Sequence, residues 1–65
     1  MEKEAKIKYR LEIFEDNNWI TQSYHKNKDW AIINADVLNN SRGLSCRVIF
    51  NGDIIYFLDP KEVCG

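Results

Sequence analysis

From Ile7 to Phe14 apolar and polar residues alternate. Ile7, Tyr9, Leu11 and Ile13 fall on one side and Lys8, Arg10, Glu12 and Phe14 on the other, the period-two signature of a β-strand. Glu15-Asp16-Asn17-Asn18 interrupts the pattern with turn formers, and Trp19 to His25 resumes it with aromatic and β-branched residues, which predicts a hairpin. Beyond Lys26 the period changes. Asn27 suits a helix N-cap, Lys28 to Asn40 sets Ala, Leu and Ile at helical spacing without Gly or Pro, and Asn39-Asn40-Ser41-Arg42-Gly43 ends the element. Leu44 to Phe50 and Asp53 to Leu58 are apolar, β-rich runs joined by Asn51-Gly52, a strong two-residue hairpin signal. Pro60 has no amide donor, so the last strand is expected to stop near Asp59.

The order ββαββ predicts an α+β fold: two β-hairpins flanking one α-helix, with the helix packed on one face of a four-stranded, mainly antiparallel sheet. A chain of 65 residues fits one domain, read as an N-terminal tail over 1–6, a core over 7–58 and a C-terminal tail over 59–65. An apolar content of 45% belongs to a folded protein. A chain this short nevertheless buries only about 60% of the surface its unfolded form exposes, so its own core is expected to be marginal.

Unbroken pairing outward from Asn51-Gly52 sets Ile49 against Ile54, Val48 against Ile55, Arg47 against Tyr56 and Cys46 against Phe57. Ile55 and Phe57 then lie beneath the helix, while Ile49, Ile54, Tyr56 and Leu58 lie on the reverse of the sheet. The same counting in the first hairpin pairs Phe14 with Trp19, Glu12 with Thr21, Arg10 with Ser23 and Lys8 with His25. In the helix, Trp30, Ala31, Ile33, Ala35, Val37 and Leu38 sweep an arc of roughly 200°, wider than one sheet contact requires, with Asn34 near its middle. A homodimer or larger homo-oligomer is therefore expected, with Trp30, Ile33, Asn34, Val37, Ile49, Ile54 and Leu58 as its contact residues.

Nine Lys and Arg against ten Asp and Glu give a net charge of -1, which lacks the global basic field of a typical nucleic-acid binder. No apolar run approaches the length of a membrane span, and the opening Met1-Glu2-Lys3-Glu4-Ala5-Lys6 is charged where a signal peptide would be apolar. A reducing, cytoplasmic setting is expected, with Cys46 as a small buried hydrophobe and Cys64 at a frayed end. One histidine, His25, and two cysteines offer no zinc-ligand spacing, so neither a metal nor another cofactor is expected.

Catalysis would require a nucleophile, a base and an orienting group within mutual reach. Ser23 or Cys46 with His25 are the available residues, and a strand surface supplies neither an oxyanion hole nor a pocket that excludes water. No enzyme activity and no catalytic residues are expected. The stronger constellation is the reverse of the sheet, where Lys8, Arg10, His25 and Arg47 are expected to join Trp19 and Tyr56. Cations interleaved with aromatic rings can hold an anionic ligand or stack bases. The same side chains can also simply solvate an exposed sheet.

Trp19-Ile20, the helix segment Trp30-Ala31-Ile32 with Ala35 and Leu38, and Arg47-Val48-Ile49 followed by Asn51-Gly52-Asp53-Ile54-Ile55 resemble a pattern in small ββαββ accessory proteins of bacteriophages and mobile elements. The resemblance covers residues 7 to 58 and carries no site residues with it. It implies a cytoplasmic, non-enzymatic protein that binds a host target, as an inhibitor of a host defence protein or a sequestering agent for a nucleotide signal. The expected function is a binding module acting stoichiometrically on a host protein or small nucleotide-like ligand. A nucleic-acid-binding or regulatory module and a structural assembly subunit are the alternatives.

Overall fold

The computed structural model describes residues 8–62, so Ile7, Cys64 and the tail over 1–6 lie outside the described residues. The element order is β1 (Tyr9–Glu15), β2 (Asn18–His25), α1 (Lys28–Arg42), β3 (Cys46–Phe50) and β4 (Asp53–Leu58). The four strands form one antiparallel sheet in the order β2-β1-β3-β4, and α1 packs against it, giving the expected ββαββ α+β fold. Both hairpins turn on two residues with left-handed backbones, Asp16 and Asn17 in the first and Asn51 and Gly52 in the second. Such turns match the twist of paired strands, and Asn, Asp and Gly adopt them most readily.

The helix ends where its local chemistry dictates. Asn27 accepts a hydrogen bond from the Trp30 amide at 3.2 Å, and Gly43, at φ 72°, donates its amide to the Asn39 carbonyl. Its inward face is built from small residues, Ala31, Ala35 and Asn39, four apart. These let the helix axis approach Leu11, Ile13, Cys46 and Val48 closely, and together they form the buried core, with Tyr9, Leu38, Leu44, Tyr56 and Leu58 around it. Asn39 is the polar member of that stripe. Its amide nitrogen donates to the Leu44 carbonyl at 3.0 Å and to the Asp59 carbonyl at 2.8 Å, tying the end of the helix to the start of β3 and the end of β4.

Unbroken pairing does not hold in either hairpin. In the first, the register slips between Leu11 and Glu12, so that Leu11 faces Ser23, Arg10 faces Tyr24 and Tyr9 faces His25, with Gln22 as the extra residue. In the second it slips between Val48 and Ile49, pairing Val48 with Tyr56, Arg47 with Phe57 and Cys46 with Leu58, with Ile55 as the extra residue. One inserted residue reverses the face of everything beyond it. Ser23, His25, Tyr56 and Leu58 therefore belong to the helix side, and Tyr24 and Phe57 to the reverse, opposite to the sequence expectation. The exchange suits the core. Regular pairing would have put Gln22 beneath the helix, whereas the bulge sets the small Ser23 against buried Leu11 and brings the Tyr56 hydroxyl 2.9 Å from the Asp36 carboxylate on the helix.

Candidate functional site

The side of the sheet away from the helix is a grid fixed by strand pairing. One row runs Tyr24, Arg10, Ile49, Ile54 and the next Thr21, Glu12, Arg47, Phe57, while Trp19 and Phe14 pair beyond them. Glu12 sits at the centre and is 7% exposed. Its Oε1 accepts from Arg47 Nε at 2.7 Å and lies 2.7 Å from Nη2 of the same guanidinium, while its Oε2 lies 3.0 Å from Arg10 Nε. The Arg47 contact is a fork; that to Arg10 is electrostatic, because the buried Arg10 Nε–H has no aligned hydrogen-bond partner. Arg47 is thus fixed in place and Arg10 is the looser cation, with 40% of its side chain exposed.

Above this network lies an aromatic strip. Trp19 reaches across β1 to place its ring 4.0 Å from the Arg47 guanidinium carbon, and it contacts Phe14 at 5.2 Å and Phe57 at 6.2 Å between centroids. Tyr24 carries the Lys8 ammonium 5.8 Å from its ring centre. Tyr24 and Phe57 remain more than or about half exposed, at 57% and 50%.

Charge is unevenly spread over the described residues. The open face holds Lys8, Arg10 and Arg47 against Glu12, a net of +2, whereas the rest of residues 8–62 carries four cations and seven acids, a net of -3. The near-neutral total conceals this, because counting charges along a chain says nothing about which face each one takes.

Of the six residues expected at a ligand site, the structure brings together Lys8, Arg10, Trp19 and Arg47 and removes His25 and Tyr56 to the helix side. Tyr24 and Phe57 take their places, because regular alternation without bulges puts both beneath the helix. The expected self-association residues do not form one patch. Trp30, Ile33 and Val37 point outward from the helix and are about half exposed. Ile54 and the nearly buried Ile49 belong to the open sheet face, and Leu58 packs against the core. The Asn34 amide is bonded to the Trp30 carbonyl at 2.8 Å, within its own helix.

On the helix side, Ser23 Oγ and His25 Nε2 are 2.8 Å apart. That is the spacing of a nucleophile and its base, but among the described residues no carboxylate hydrogen-bonds the imidazole to orient it. Burial, and then the charge of Asp36, push the Cys46 thiol above its ordinary pKa, which favours the unreactive protonated form. No group of three or more His, Cys, Asp or Glu among the described residues is placed to hold a metal ion. None of the described helices is long and apolar enough to cross a membrane. The chain matches no protein-family model, and no curated protein or solved structure matches it either.

Proposed function

We propose that this protein is a non-catalytic binding module that works by stoichiometric association, with the open face of its sheet as the working surface. The observation that carries this reading is the meeting of a net positive charge with exposed aromatic rings on one face. A face with a net of +2 and exposed Tyr24 and Phe57 lies on a chain whose other charges sum to -3 among the described residues. A partner of complementary chemistry is anionic and presents planar or apolar groups. Steric occlusion or sequestration follows from such binding without any bond being made or broken, and the resemblance to phage-type accessory proteins fits that mode of action.

The fixed Glu12–Arg47–Trp19 arrangement supports the reading in a second way. A rigid platform loses little conformational freedom when a ligand settles on it, so more of the contact energy survives as affinity. The test is affinity capture from a cell lysate with the native protein and with Tyr24→Glu, Phe57→Glu and Trp30→Glu variants. A bound species retained by Trp30→Glu and lost in the two sheet variants is the expected outcome. Loss only in Trp30→Glu would move the working surface to the helix.

A further inference from the structure

We infer that the open sheet face takes a short stretch of single-stranded nucleic acid, with bases stacked on Tyr24 and Phe57 and backbone phosphates held by Lys8 and Arg10. The inference rests on the reading of this face as the working surface and adds its occupant. Tyr24 and Phe57 are the most exposed rings of this face, at 57% and 50% against 37% for Phe14, and they stand on opposite edge strands in adjacent rows, with Arg10, Ile49 and Ile54 completing the row of Tyr24. Every base offers a flat face to such rings whatever its identity. Arg47 is committed to Glu12 and Trp19, which leaves Lys8 and Arg10 as the cations available to phosphate.

Charge selects among occupants. A net of +2 attracts a polyanion to this side, while the net of -3 elsewhere repels it, so the strand is confined to one face. A duplex fits poorly, since its bases are already stacked and two cations meet too few of its phosphates. A second copy laid face to face would oppose +2 with +2. Joining sheets edge to edge is hindered because both edge strands carry a bulge, at Gln22 and at Ile55.

The experiment is an anisotropy titration of labelled oligo-U and oligo-dT of about eight nucleotides, with a duplex of equal length alongside. Two phosphate contacts predict a slope of about -1.4 in log affinity against log salt, a loss of roughly 20-fold between about 25 and about 200 mM salt. Lys8→Gln is expected to reduce the slope to about -0.7. Tyr24→Ala is expected to weaken binding by about 5- to 140-fold, the range for one lost stacking contact. Trp30→Ala, an equally exposed aromatic on the helix, is expected to bind as the native protein does. Absence of binding at low salt, equal affinity for the duplex, or native affinity in both Lys8→Gln and Tyr24→Ala would overturn the inference. If the strands fail to bind while lysate capture still depends on Tyr24 and Phe57, the nucleic-acid occupant is wrong and the open face stands as the binding surface. Failure of both removes both.

Discussion

Trp19 and Arg47 are separated by an intervening strand, yet the indole ring lies 4.0 Å from the guanidinium carbon. The contact joins the edge strand β2 to the central strand β3 over the top of β1, on the same guanidinium that bonds Glu12. A cation held over an aromatic face while paired with a carboxylate is fixed in both direction and position. In a double-mutant cycle of Trp19→Ala and Arg47→Ala followed by urea denaturation, the pair is expected to show a coupling of about 1 kcal/mol.

Glu12 balances two guanidinium groups from a buried position. Glu12→Gln keeps its shape but leaves Arg10 and Arg47 uncompensated, so the variant is expected to lose about 2 kcal/mol of stability. The cost falls below that of a fully buried pair because 40% and 22% of the two arginine side chains reach solvent. Added salt screens the repulsion between them, so the gap from the native protein should narrow in urea melts at higher ionic strength.

Asn39 bonds two carbonyls that no helix or ladder satisfies, at Leu44 and Asp59. Asn39→Ala removes both donors from a buried position and is expected to cost about 2 to 3 kcal/mol. Hydrogen exchange provides the check: protection at the start of β3 and the end of β4 should fall more than protection in the first hairpin.

Tyr56 donates its hydroxyl to the Asp36 carboxylate, and that bond, followed by burial and the nearby negative charge, raises the tyrosine pKa above its ordinary value. A raised folded pKa means that the stabilisation is complete below the unfolded value of about 10 and disappears as pH rises through the folded value. Tyr56→Phe is therefore expected to lose about 1 kcal/mol at neutral pH. Chemical denaturation at increasing pH should show the native protein's advantage over the variant shrinking above about pH 10.

Gln22 is the residue that the first bulge sets outside the pairing. Its deletion leaves each neighbour with its present partner and is expected to yield a folded protein with stability within about 1 kcal/mol of the native chain. Cross-strand NMR contacts between Arg10 and Tyr24 should persist. Their replacement by contacts between Arg10 and His25 would show that the strand keeps a bulge without Gln22.

By itself the sequence determined everything that is local. Alternation marked the strands, Asn27 and Gly43 marked the helix ends, and Glu15-Asp16-Asn17-Asn18 and Asn51-Gly52 marked the turns, because these depend on backbone preferences within a few residues. The element order and the packing of one helix against four strands followed from them. The tertiary structure alone decided the faces beyond each bulge. Skipping Gln22 sets Ser23 against buried Leu11, and skipping Ile55 brings Tyr56 to Asp36 on the helix, contacts between segments distant in the chain. That decision moved Tyr24 and Phe57 to the open face and moved His25 and Tyr56 away from it, while the cations of that face, on β1 and β3, kept the side that alternation had given them.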